Sequence, residues 1–341
     1  MTGARLELTR AQILAYRRAV QALDERLPAG AASLRRAAWA GLQDSMPRAA
    51  LLSIHARVEG TRSSTWEDRS LIQLWGPRFS AYVVAARDRG VFTLGRLAEE
   101  HAGWQRAMDL AARLDELLAG GRLRHEDAAR GLRLPHHNFL RYGAPSGRIL
   151  IRWDGARQPT VWTMPAPRLD PLTARLELAR RYLHFFGPAT ASSFAEWAGI
   201  SAASGHRAFE GLTRSLAAVR TPIGDASILT SDEAAFRVRA GPTAPARLLP
   251  SGDTYFLLQG ADRELLVPDP KRRSALWTAR VWPGAVLAGG EIVGTWRRAH
   301  ADITITPWRR LSPAEREVIE AEAITLPLPD VARAIRVRFA I

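Results

Sequence analysis

Cysteine is absent from this 341-residue chain and lysine nearly so, Lys271 being the only one. The first absence excludes disulfides, thiolate nucleophiles, iron–sulfur clusters and cysteine zinc sites. The second leaves one side-chain amine for Schiff-base chemistry, in the basic run Asp269 to Arg273. No apolar run is long enough to span a bilayer, and the opening residues MTGARLELTRAQ lack the apolar stretch of a signal peptide, so a cytoplasmic protein is expected. Walker and dinucleotide glycine motifs are missing. His136-His137, with His125 nearby, shows neither HExxH spacing nor an acidic partner at ligand spacing, so no metal and no cofactor are expected.

Arginine is abundant. The chain carries 48 Lys and Arg against 34 Asp and Glu, a formal charge of +14. Such an excess suits a polyanion, because each neutralised phosphate releases counterions, and arginine also forks onto phosphates and guanine edges. An Arg- and Ala-rich composition also follows from a GC-rich genome, so the charge supports nucleic-acid binding without establishing it.

The best-marked segment runs from Leu172 to Thr230. Leu176, Ala179, Leu183 and Phe186 give a helix one apolar face, and Gly187-Pro188 stops it. Ser192 or Ser193 caps a second helix carrying Phe194 and Trp197; Ser201 to Ser204 caps a third with Phe209, Leu212 and Leu216. Val219 opens a strand, Gly224-Asp225 turns it, and Ile228-Leu229 returns. Three short helices and a hairpin read as a winged helix, a shape used on DNA and also between proteins.

The rest of the chain divides in the same manner. In residues 1–100, helices are expected from Thr9 through Leu27, from Ala31 to Gln43 and from Pro47 through Val58, with strands at Leu71 to Trp75 and Ala81 to Ala85. Residues 101–165 read as a first winged-helix-like unit: helices to Leu118 and from His125 to Leu132, then a hairpin from Ile149 to Met164 turning at Asp154-Gly155. Residues 170–240 hold the second winged helix, and 241–341 a strand-rich domain whose hairpin turns at Gly289-Gly290, with Asp269 to Arg273 as a basic loop. The fold class is α+β: tandem winged-helix units followed by a strand-rich C-terminal domain.

The wording of three blocks is more specific than their pattern. FFGPATASSFAEWAGIS (Phe185 to Ser201), LLPSGDTYFLLQGADRELLVP (Leu248 to Pro268) with GGEIVGTWRR (Gly289 to Arg298), and AGLQDSMPRAALLSIHARV (Ala40 to Val58) resemble, in order and spacing, the AlkZ/YcaQ-type winged-helix DNA glycosylases. The resemblance implies binding of double-stranded DNA, a nucleoid-associated location, a monomer of fused units, and hydrolysis of the N-glycosidic bond of alkylated or crosslinked purines. A non-catalytic DNA-binding or regulatory protein is the alternative reading, and a protein-interaction scaffold a third. The family places a Gln-x-Gln pair, or Gln-x-Asp, at the lesion. The matching residues are Gln43, Asp44 and Ser45, with serine at the second position. Gln43 then positions a water or serves as a structural amide; Asp44 supplies a missing carboxylate or is an ordinary helix-end residue. The family's Arg-Gly-Thr-Leu-His run is matched by Arg78 to Tyr82, so that Arg78 holds a phosphate and Tyr82 stacks on a base or fills the sheet. Further DNA contacts are expected at Arg148, Arg152 and Arg157 on the first wing, at Arg207 on the third helix of the second unit, and at Arg297 and Arg298, with Trp296 read as a core residue. The lone lysine argues against a lyase step.

Overall fold

The computed structural model describes residues 6–46, 48–154, 158–238, 241–328, 331 and 333–340. Strand β1 (Leu6–Glu7) leads into helix α1 (Arg10–Val20), capped by Thr9, whose hydroxyl accepts from the Gln12 N–H while the Gln12 side chain returns to the Thr9 N–H. Helix α1 ends at Val20 rather than Leu27, and α2 (Ala31–Ala37) ends well before Gln43. Gly41 keeps the chain after α2 from running on as helix to Gln43. Its φ of +75° takes the chain out of the helix, and a Cβ there would lie 2.8 Å from the Phe92 ring and 3.0 Å from the Tyr82 ring. The chain emerges extended, so Gln43 lies on a strand, β2 (Leu42–Gln43).

Helix α3 (Ala49–Arg57) follows, then β3 (Leu71–Trp75) and β4 (Ala81–Ala85), the two strands bounded as the sequence predicts. They form an antiparallel sheet in the order β2-β4-β3 with Gln43 opposite Tyr82. Helices α4 (Arg89–Leu94), α5 (His101–Leu118) and, after β5 (Leu123–Arg124), α6 (His125–Gly131) lead to a 3-10 stretch, His137–Ser146. A hairpin of β6 (Ile149–Arg152) and β7 (Thr160–Thr163) closes the unit in a sheet ordered β5-β7-β6. The expected turn at Gly155 and the candidate contact Arg157 lie outside the described residues.

Helix α7 (Pro171–Phe186) buries Leu178, Ala179, Leu183 and Phe186 on one face. Helix α8 (Ala191–Ala198) is capped by Thr190, two residues before the first of the serines read as its cap, and α9 (Ala202–Gly211) by Ser201. The hairpin of β8 (Leu216–Thr221) and β9 (Gly224–Leu229) turns at Pro222-Ile223 rather than Gly224-Asp225. Proline presets the first turn position, and Thr221 Oγ1 locks the corner by donating to the Gly224 carbonyl at 2.8 Å. Strand β1 pairs in parallel with β8, so the first described residues complete the sheet of a unit two hundred residues on, with Leu6 opposite Val219.

Helix α10 (Glu233–Arg237) packs on α1. The last unit contains β10 (Ala246–Leu249), α11 (Asp262–Leu266), α12 (Pro270–Leu276), β11 (Gly284–Ala288), β12 (Glu291–Ala299), β13 (Asp302–Pro307), α13 (Pro313–Ile324) and β14 (Arg336–Phe339), its strands forming one sheet in chain order. The basic run read as a loop is the start of α12: Asp269 accepts from the Lys271 N–H and Pro270 takes the first helical position. Trp296 is buried and donates its indole N–H to the Leu249 carbonyl at 2.8 Å. The largest buried cluster crosses the segments, joining Leu14, Tyr82, Leu150, Phe186, Trp197, Leu249 and Leu287, while the second unit and the C-terminal sheet also have clusters of their own.

Candidate active site

The three blocks singled out in the sequence meet at Gln43. Strand β2 presents its half-buried side chain, and Arg78 Nη2 stands 3.5 Å from its Oε1. On the other side lies Gly252, in the loop after β10: a Cβ there would be 3.2 Å from Gln43 Nε2. Gly252 adopts a φ of +74°, which glycine takes without strain, so the loop presses its backbone on the amide. Arg78 is gripped in the same manner by Gly199, the left-handed cap of α8, where a Cβ would lie 2.9 Å from the Arg78 backbone nitrogen. Arg78 and Phe79 themselves have φ of +53° and +56°. Two adjacent non-glycine residues in the left-handed region store about 1–2 kcal/mol each, held by their surroundings. Arg96 supplies part of that hold: buried, it donates to the carbonyls of Ala198 and Trp75 and lays its guanidinium 4.8 Å from the centre of the Phe79 ring.

Asp44 points elsewhere, as alternation along a strand requires. It is 1 % exposed, its Oδ1 accepting from the Ala50 N–H of α3 at 2.9 Å and its Oδ2 from Gln73 Nε2 at 2.7 Å. Gln73 in turn accepts from the Trp153 N–H, tying the first sheet to the hairpin of the second unit. Of the two readings of Asp44, the helix-end one fits and the catalytic carboxylate is corrected: with both oxygens occupied and the side chain buried, it fixes the start of α3. Burial pushes its carboxyl up to about 7, against the opposing pull of the Ala50 N–H, Arg48, Gln73 and Arg152. Of the two readings of Tyr82, the one that fills the sheet fits and the DNA contact is corrected: it is fully buried, its ring filling the space left by Gly41 and Gly76, and burial pushes its hydroxyl up to about 12.

Ser45 lines a pocket of about 520 Å³ between the first sheet and the second unit, together with Ser80, Trp75, His125, His137, Arg141 and Trp153. Sequence reasoning used the histidines only to dismiss a metal and did not find Arg141; the adjacent His136-His137 pair was the available signal. No group of metal-ligating side chains occurs among the described residues.

Of the arginines expected on DNA, Arg148 pairs with Asp115 at 2.5 Å and Arg152 with Glu67 at 2.7 Å while covering the Trp66 ring. Arg207 is tied to Glu99, which also holds Arg175. Arg297 is exposed and donates to the Val281 carbonyl, and Arg298 is half-buried beside it. These residues do not converge on Gln43; Arg78 does.

A family model described as DNA glycosylase AlkZ-like matches residues 34–326. The chain belongs to the AlkZ-like DNA glycosylase family. Within it, the chain is 24 % identical to the interstrand DNA cross-link repair glycosylase of Streptomyces sahachiroi, over 75 % of this chain and 78 % of that protein. The solved structure of Streptomyces sahachiroi DNA glycosylase AlkZ superposes with a TM-score of 0.80 at 20 % identity, covering 98 % of this chain and all of that one, and so shares its mixed α and β fold. Among the described residues, no helix is long and apolar enough to cross a membrane.

Proposed function

We propose that the chain is a monofunctional glycosylase of duplex DNA that hydrolyses the N-glycosidic bond of alkylated purines, N7 adducts and crosslinked purines included. The observation that carries this reading is the clamping of the Gln43 amide between Arg78 and the Gly252 backbone, which fixes its orientation at the junction of three segments. An N7-alkylated purine is already cationic, so little acid catalysis is needed. The C1′–N9 bond breaks with its electron pair going to the base, which leaves neutral; a water oxygen bonds to C1′ and its proton passes to solvent. Gln43 accepts a hydrogen bond from that water and holds it in line, as positioning groups do in other hydrolases. Arg78 holds the neighbouring phosphate. The relative's action on interstrand cross-links supports bulky or bridging adducts as substrates. Residues 1–100, 101–165, 170–240 and 241–341 act as fused units, the middle two as winged helices, so a monomer suffices for binding. The test is incubation with duplexes carrying one N7-methylguanine or one bridging N7 adduct. Free base and an intact alkali-labile strand are expected. Release from neither substrate, with DNA binding retained, overturns the reading.

A further inference from the structure

A second pocket lies between α5, the 3-10 stretch His137–Ser146 and the turn from α8 into α9, and the water-positioning chemistry makes no use of it. Its place ties it to that chemistry all the same. Ser80 and Arg141 line the pocket beside Ser45, and their neighbours in sequence, Phe79 and Tyr142, line this one, so the same two segments divide the two spaces. Gly199, which presses on the Arg78 backbone, is also in its lining. The group without an explanation is Arg96. It is 4 % exposed, and while its Nε and Nη1 donate to the carbonyls of Ala198 and Trp75, its Nη2 is buried without a partner. Arg148, Arg152, Arg175, Arg181 and Arg207 each find a carboxylate; Arg96 has none among the described residues. A buried donor left unmade is costly, so one kept at a pocket wall is there for an acceptor brought by an occupant. Arg106, exposed on α5, adds a second guanidinium at the rim, against the carboxylate of Glu100. That balance selects acceptor oxygens over a cation. Tyr142 offers an open ring face, 41 % accessible, and meets the Phe79 ring edge to face with centroids 5.3 Å apart. A volume of about 270 Å³ is room for one or two fused rings and too little for a whole nucleotide.

We propose that this pocket receives the arm of a bulky N7 adduct: a planar group stacked on Tyr142, with an oxygen accepting from Arg96 Nη2 and from Arg106. The inference rests on the glycosylase reading and deepens it, by naming adducts with an acceptor-bearing aromatic arm as the preferred class. N7 lies across the imidazole ring from N9. An arm on N7 therefore points away from the sugar and reaches over the dividing wall while the N9 bond stays beside Gln43. Burial lowers the Arg96 guanidinium only to about 10, so it stays charged at neutral pH and its hydrogen bond to the arm is charge-assisted. A methyl group leaves the pocket empty, and its release gains nothing from it.

The test compares two duplexes of one sequence, carrying a single N7-methylguanine or a single N7-phenacylguanine, whose arm is a phenyl ring with one carbonyl. Base release is followed with protein below saturation, so that the rate reports binding and chemistry together, and the affinity for each duplex is measured beside it. Wild type is expected to bind the phenacyl duplex about tenfold more tightly, the worth of one aromatic stack. Tyr142→Ala and Arg106→Ala, both at exposed side chains, are expected to abolish that preference and to slow phenacyl release about tenfold, with N7-methylguanine release unchanged. A merely structural defect would lower both rates together. No preference in wild type, equal effects of the variants on both duplexes, or no effect on the phenacyl duplex overturns the proposal, while release of N7-methylguanine keeps the glycosylase reading. If neither base is released and wild type still prefers the phenacyl duplex, the pocket stands and the glycosylase reading falls.

Discussion

Asp44 and Asp253 are both buried in the site's framework but are partnered differently. Asp253 is fully buried but meets the Arg57 guanidinium at 2.7 Å on each oxygen, with the Ser53 hydroxyl also donating. Removing one partner of such a pair strands a buried charge, so Asp253→Ala is expected to cost about 3–5 kcal/mol in denaturant unfolding. Because Asp253 follows Gly252 directly, base release should fall with it. Asp44 has no guanidinium bonded to it, and burial raises its folded pKa from the ordinary 3.8 to about 7. A raised carboxyl stabilises the fold below the unfolded pKa and loses that contribution as pH rises through 7. Asp44→Asn should therefore gain on wild type in thermal stability between pH 5 and about 8, whatever fixed cost the lost Gln73 contact brings. A difference flat across that range would mean that Asp44 stays ionised throughout.

At the scale of elements, the site is made by glycines that let separate segments touch. Gly252→Ala places a methyl 3.2 Å from Gln43 Nε2 and strains a φ of +74°, and it should slow base release about tenfold while costing about 1–2 kcal/mol of stability. Gly199→Ala acts through the Arg78 backbone, 2.9 Å away, and should lower activity in the same assay. Neither contact was legible in the sequence. The strands Leu71–Trp75 and Ala81–Ala85 and the α9 cap at Ser201 were, because each is dictated by neighbours along the chain. Helix α2 was overextended because apolar residues continue in helical register through Leu42; what ends it, the rings of Tyr82 and Phe92 against Gly41, comes from remote positions. The pairing of Arg207 with Glu99, over a hundred residues away, escaped for the same reason, and so did the burial of Asp44, while the sequence left Tyr82 open between the sheet and the DNA. The family blocks identified which residues matter, but only the fold gives them their places.

The largest buried cluster of the molecule joins residues from all its segments, and β1 closes a sheet formed from residues two hundred positions later. Such a body presents its arginines rigidly, and a formal charge of +14 predicts affinity for any duplex that falls steeply and linearly in log–log form as salt rises. Affinity indifferent to salt would mean that the charge does not face DNA. Binding alone does not distinguish a repair enzyme from a protein that merely coats DNA; the chemistry at Gln43 does. The deciding measurement is the single-turnover rate of base release from an N7-methylguanine duplex by wild type and Gln43→Ala at saturating protein. The account predicts a fall of about a hundredfold in the variant with duplex affinity unchanged, the size of a lost positioning group. Equal rates in the two proteins would contradict it.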